Sequence, residues 1–256
     1  MQKEVEKELE KFLKGKVKQV YLKLSKDKEV KGFLEQANNL SILRLGYNDH
    51  GEVHSKIVAL NALKMFDILV KKGFRPTAAK EEIGSIEDSR VAILVGAYLH
   101  DIGCAISRDD HEMTGVIIAL PIIKRILSKF YPAYKLSKIS CLILEAILCH
   151  MGNYEATSLE ARIVEAADGT DVTKGRARIP FHIGRKDIHK FSALAIEKVE
   201  IKEGKRKPIR IEVFMENPAG IFQTEEIMLK KIKDAKLEEH IEVVANIRGE
   251  SKVRYL

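Results

Sequence analysis

Eight histidines punctuate the chain, and five of them, His50, His54, His100, His111 and His150, fall between residues 50 and 150. The pair His100-Asp101 ends an almost wholly apolar run over residues 91–99, and Ile102-Gly103 follows it. Two polar groups in that position need a partner, because burying them unpaired costs several kcal/mol or forces a shift in pKa. A metal ion would be one such partner; solvent at an open helix end would be the other. His54 lies 46 residues upstream, and His50 precedes it by four residues, on the same helical face. Asp168 closes Glu165-Ala-Ala-Asp168, 67 residues after Asp101. Imidazole nitrogen and carboxylate oxygen together suit Mn, Fe, Co, Ni or Zn without strongly separating them.

The order His54, then His100-Asp101, then Asp168 resembles the HD-domain metal-dependent phosphohydrolases, an all-helical superfamily. His100-Asp-Ile-Gly103 is similar to the usual form of its doublet. His111-Glu-Met-Thr-Gly115 resembles the His-x-x-x-Gly segment that follows, and Glu165-Ala-Ala-Asp168 resembles the terminal Ala-Asp. The likeness covers about residues 40–180. It implies that His54, His100, Asp101 and Asp168 hold one divalent metal. It further implies that His111 and His150 hold a second, with Asp101 bridging. Mg joins the candidate ions, and one or two would bind. His50 would be a further ligand, a hydrogen-bonding neighbour of one, or a substrate contact.

There is one departure. Many dinuclear members carry Lys directly after the His-Asp-x-Gly segment, where it meets a phosphate; here Cys104 stands there, and the Gly-Tyr-Pro segment of the cyclic-dinucleotide branch is missing. The activity implied is hydrolysis of a phosphomonoester or phosphodiester, nucleotide-like, by a metal-activated water. Asp101 would bind metal and orient the nucleophile. Arg108, Asp109 and Asp110 are candidates for holding substrate or protonating the leaving group. Lys174, Arg176 and Arg178 follow Asp168 closely, and Arg and Lys suit phosphate; the same residues would serve equally as a solvated basic linker. Asp171 competes with Asp168 for the ligand role, and the family pattern favours Asp168. Two alternatives stand beside the enzyme: a non-catalytic nucleotide sensor that needs metal, and an RNA-associated protein.

These residues must be positioned by helices. Residues 1–45 alternate Lys and Glu with apolar positions at helical spacing, which predicts two or three amphipathic helices. A long apolar helix is predicted over residues 51–72, where Asn48 or Asp49 could cap it and Gly73 and Pro76 stop it. Ser85-Ile-Glu-Asp88 reads as a capping box for the helix that carries the doublet. Asp109 or Asp110 is expected to cap the next helix, which contains Pro121. Another helix follows Ser137 and reaches His150, and a shorter one runs from Ser158 to Asp168. After about residue 182 the texture changes: two β-branched stretches (192–202 and 208–216) flank a basic turn, then a helix opens at Asn217-Pro-Ala-Gly220 and residues 240–247 read as a third strand. The expected architecture is a mainly α chain, with an all-helical HD domain over residues 1–182 and a small α+β (β-β-α-β) domain over 183–256.

Composition bounds the rest. The 256 residues are 45% apolar, which suits a globular core and argues against disorder. The longest apolar runs, residues 91–99 and 116–123, fall far short of the roughly 20 residues a bilayer needs, so no membrane partner is expected. The first residues are charged and periodic, unlike a secretory signal. Three scattered cysteines, Cys104, Cys141 and Cys149, argue against a disulfide framework and for a reducing cytoplasm. The net charge of +7 permits a phosphorylated ligand or nucleic acid without requiring either. A small phosphorylated substrate is the expected partner, with assembly into a homo-oligomer left open.

Overall fold

The computed structural model describes residues 2–175, 188–250 and 252–256. Three helices open the chain: α1 (Gln2–Phe12), α2 (Gly15–Lys26) and α3 (Lys28–Asn38), the last continuing as a π-type turn over Asn39–Arg44. Next come α4 (Glu52–Lys71), the short α5 (Thr77–Lys80), α6 (Ile86–Leu99), α7 (His111–Leu127), α8 (Ala133–Cys149) and α9 (Leu159–Asp168). The helix α6 is the axle of this part, packed by α2, α4, α8 and α9. Its start is the expected capping box: the main-chain N–H of Asp88 donates to Ser85 Oγ, and that of Ser85 donates to Asp88 Oδ2 at 2.8 Å. Beyond that box Val91 to Leu99 is buried on every side, as a core helix must be. A Cβ on Gly96 would stand 2.9 Å from Ala146 Cβ, so α6 and α8 cross at small residues and bring their C-terminal ends together.

Two local expectations are corrected. Asp110 occupies the cap of α7, but in a left-handed conformation (φ +52°) and without a side-chain cap bond. Its short polar side chain tolerates that conformation better than most. The helix α8 starts at Ala133 rather than after Ser137, because Pro132, with φ near −65°, fixes the chain for entry into a helix. Pro121 lies within the continuous α7.

The second part is α+β. It holds α10 (Ile188–Leu194), β1 (Ile196–Glu203), β2 (Ile209–Met215), β3 (Ile241–Ile247) and β4 (Val253–Tyr255). Between β2 and β3 run α11 (Ile221–Gln223), a π-type stretch over Thr224–Leu229, and α12 (Lys230–Asp234). The sheet order is β1-β2-β3-β4; β1 pairs antiparallel with β2, β2 parallel with β3, and β3 antiparallel with β4. The parallel central pair, with Ile211 opposite Val243 and Val213 opposite Ala245, is buried, and α4 packs against β2. The β-β-α-β unit is therefore present, with a short fourth strand added. Strand β1 begins at Ile196 rather than at residue 192, because Ser192 closes α10 by donating from Oγ to the Ile188 carbonyl at 2.6 Å. The boundary expected at residues 182–183 lies outside the described residues. Carboxylates of the sheet brace the basic turn. Lys202 Nζ lies 2.5 Å from Glu212 Oε2, and Glu242 Oε1 accepts from the main-chain N–H of Lys205 at 2.9 Å.

The two parts touch. The strands β1 and β2 pack on α4, and α12 packs on α9. Lys71 pairs with Glu203 and Lys236 with Glu155 across the junction. Among the described residues no helix is long and apolar enough to cross a membrane.

Candidate metal centre

Four histidines meet at one point, each brought by a different element. His100 ends α6, His150 ends α8, His111 begins α7 and His54 lies in the first turn of α4. Each spends its Nδ1–H on an oxygen. His100 donates to the Ala97 carbonyl at 2.7 Å and His150 to the Ile147 carbonyl at 2.7 Å. Both acceptors lie three residues back, among the carbonyls a helix C-terminus leaves unpaired. His111 donates to the Arg108 carbonyl at 2.9 Å and His54 to Asp171 Oδ2 at 2.7 Å. These bonds place the proton of a neutral ring on Nδ1, so each of the four rings, when neutral, turns its Nε2 lone pair inward, the arrangement typical of metal-ligating histidine.

Asp101 stands between two pairs of imidazoles. Its Oδ2 is 3.3 Å from His54 Nε2 and 3.2 Å from His100 Nε2. Its Oδ1 is 3.2 Å from His111 Nε2 and 3.5 Å from His150 Nε2. Asp168 Oδ1 joins the first pair, 3.1 Å from His54 Nε2 and 3.6 Å from His100 Nε2. Within each pair the two Nε2 atoms are 3.1 Å apart. Lone pairs that face each other at this distance repel unless a cation or a proton lies between them. Ligands about 2.0–2.2 Å from one ion, at angles of about 90–109°, lie about 2.8–3.6 Å from each other, and the observed spacings fall in that range. Asp101 Oδ2 is buried and, among the described residues, accepts no hydrogen bond. A buried carboxylate oxygen left in that condition is costly without a cation. The donor set therefore fits divalent metal, and Cys104 Sγ, 3.9 Å from Asp101 Oδ1, belongs to the second ligand group.

The glycines of the motif explain the close assembly. A Cβ on Gly103 would lie 1.9 Å from the His111 carbonyl oxygen and 2.5 Å from the Gly115 main-chain nitrogen. Only glycine lets the turn after Asp101 lie directly on the first turn of α7, and that contact sets His111 against Asp101.

Electrostatics keep Asp101, Asp168 and His150 in binding form. Burial would raise the pKa of Asp101, but His100, His50 and His111 hold it well below the carboxylate range. Burial also opposes ionisation of Asp168, and Lys231, His100 and His54 outweigh it. Burial lowers His150 to about 4, helped by His100, His111 and Lys231, so its ring is neutral. His100 goes the other way: burial disfavours its charge, yet Asp101 and Asp168 raise its pKa.

All six residues expected as ligands thus converge, and the other candidates are placed differently. His50 is buried at the edge, its ring centroid 6.1 Å from that of His54, outside both ligand groups. The Arg108 guanidinium lies against His111, with Nη1 3.0 Å from both ring nitrogens. Asp109 is exposed and away from the cluster, its main-chain N–H donating to Ser107 Oγ at 3.1 Å. Lys174 faces the α+β part, with Nζ 3.6 Å from Glu216 Oε1. Arg176 and Arg178 lie outside the described residues. Asp171, a rival for the ligand role in the sequence, is the group that orients His54. Lys231 was not foreseen at all: its Nζ lies 2.8 Å from Asp168 Oδ2.

A family model for the HD domain matches residues 52–173, the stretch that carries all six converging residues. The chain belongs to the HD-domain superfamily. HD domains bind divalent metals. An uncharacterized protein of Methanocaldococcus jannaschii is 46% identical over 241 residues, which is 94% of this chain and 93% of that protein. That likeness therefore runs beyond the HD domain into the α+β part. No solved structure gives a significant match.

Proposed function

We propose that the protein is a metal-dependent phosphohydrolase that cleaves a nucleotide-like phosphomonoester or phosphodiester at a dinuclear centre. The observation that carries this reading is the orientation of the four imidazoles, each Nδ1–H spent on an oxygen and each Nε2 turned toward one oxygen or the other of Asp101. In this reading His54, His100, Asp101 and Asp168 hold one ion, and Asp101, His111 and His150 hold the other. Ions bound there supply a water with its pKa brought toward about 7 and neutralise charge on phosphoryl oxygens.

The chain's own groups do the rest. Asp101, as the shared ligand, fixes where the attacking water must stand relative to phosphorus. Arg108, beside His111, takes a phosphoryl oxygen in its planar fork. His50 orients the substrate at the edge of the centre, and Arg176 is a further phosphate contact. Lys174 joins it only when its ion pair with Glu216 opens. The leaving oxygen takes its proton from solvent water as the ester P–O bond breaks, since Asp109 is exposed and stands away from the centre.

The test is phosphate release from a panel of phosphomonoesters, nucleotides and cyclic dinucleotides. Turnover is expected with Mn or a neighbouring ion, lost on chelation and regained on adding metal back. Arg108→Ala should keep its metal while kcat/KM falls about 10²–10³-fold, the cost of about 3–4 kcal/mol of transition-state stabilisation. Tight nucleotide binding without turnover of any ester would contradict the enzyme and make the protein a sensor.

A further inference from the structure

Lys231 belongs to α12 in the α+β part, yet its ammonium ends among the groups of the metal centre. Its Nζ lies 2.8 Å from Asp168 Oδ2 and donates to the main-chain carbonyl of His150. The Lys231 side chain is 13% exposed. The approach is built into the sequence. A Cβ on Gly169 would stand 2.8 Å from Lys231 Cβ, so the glycine after Asp168 is what lets α12 lie on the end of α9. Sinking an ammonium this far is unfavourable unless it is paired. Its two oxygen acceptors belong to one residue from each ligand group, and Met151 Sδ lies 3.9 Å away.

The consequence falls on Asp168. Its Oδ1 faces His54 and His100, while Oδ2 is held outward by Lys231. A carboxylate not so held turns easily, because its last torsion is broad. The same ammonium ties down the carbonyl at the end of α8, directly behind the His150 ring. Asp234 on α12, the buried Glu165 on α9 and Glu155, which pairs with Lys236, are further carboxylates at this junction.

We propose that Lys231 is a positioning residue of the metal centre, so that the α+β part completes the HD site by holding Asp168 to a single inward oxygen. The inference rests on the metal-centre reading above. It gives the second part a role in the chemistry of the first: docking α12 sets the affinity for metal.

The test titrates metal-stripped full-length protein with Zn or Mn by calorimetry, comparing wild type, Lys231→Met and Lys231→Arg. Lys231→Met should weaken the ion held by Asp168 by about 10–100-fold, the usual cost of losing a group that orients a ligand. Lys231→Arg keeps the charge and should regain most of that affinity. Should Lys231→Met fail to fold, Gly169→Ala pushes Lys231 back with a methyl group and should give the same loss. A lysine that is only structural would lower the melting temperature and leave metal affinity unchanged. Wild-type affinity in a folded Lys231→Met or Gly169→Ala chain, or tighter binding, overturns the inference alone. A wild-type chain that takes up no divalent ion overturns the metal-centre reading and this inference with it.

Discussion

The two ends of α6 each carry a buried aspartate, about 20 Å apart for a helix of this length. At the start, Asp88 is fully served. Lys16 Nζ lies 2.6 Å and the Tyr131 hydroxyl 2.9 Å from Oδ1, while Lys135 Nζ lies 2.7 Å from Oδ2, which also accepts from the Ser85 main chain. At the far end, among the described residues, no lysine or arginine pairs with Asp101; four imidazoles and the Cys104 thiol face it. Burial opposes ionisation at both, and neighbours overcome it at both: Lys135 and Lys16 at Asp88, His100 and His50 at Asp101. A buried carboxylate with a depressed pKa is therefore not in itself a sign of function. What separates the two is whether every lone pair already has its proton donor. Asp88 is complete without a ligand; Asp101 is complete only with one.

That contrast can be broken by exchanging the consequences. Asp88→Asn should destabilise the fold by about 3 kcal/mol, through a lost cap and two lost ion pairs, and leave metal content untouched. Asp101→Asn should do the reverse. Metal is lost, while the stripped protein keeps its stability to within about 1 kcal/mol, since the hydrogen bond that goes with the charge comes from the Cys104 thiol, a weak donor. Thermal melts with metal analysis on both variants check this. Metal lost from Asp88→Asn would remove the distinction.

Glu165 sharpens the comparison with a smaller effect. It is buried on α9, and among the described residues neither carboxylate oxygen accepts a hydrogen bond. Burial raises its pKa from the ordinary 4.5 to about 8, against the pull of Lys231. The folded chain thus keeps a proton that the unfolded chain gives up above about pH 4.5, so stability falls as pH rises from about 5 to 8. Glu165→Gln removes that dependence and should gain about 1 kcal/mol near pH 8 in metal-free melts. Parallel melting curves for the two proteins across this range would contradict it.

The sequence carried the centre further than it carried the surroundings. Each ligand is a polar residue at or near the end of an apolar helix, and the capping box at Ser85 and the glycines at positions 103 and 115 mark local geometry that needs no distant partner. The tautomers follow from the same local rule, since His100 and His150 bond carbonyls three residues back. Lys231 was illegible because it lies 63 residues beyond Asp168, in a part whose docking no periodicity encodes. Lys174, which by type and spacing suits either a phosphate contact or a solvated linker, lies with Nζ 3.6 Å from Glu216 Oε1, a pairing no periodicity encodes. Strand β4 escaped notice because a three-residue edge strand carries too few side chains to form a pattern.

The most direct test of the account is the number of divalent ions held per chain after stripping, reloading with Mn or Zn and dialysis. Two ions are predicted for the wild type, one for the double variant His111→Ala/His150→Ala, and none for Asp101→Asn. A wild-type chain that holds no ion, or an Asp101→Asn chain that still holds two, would contradict it.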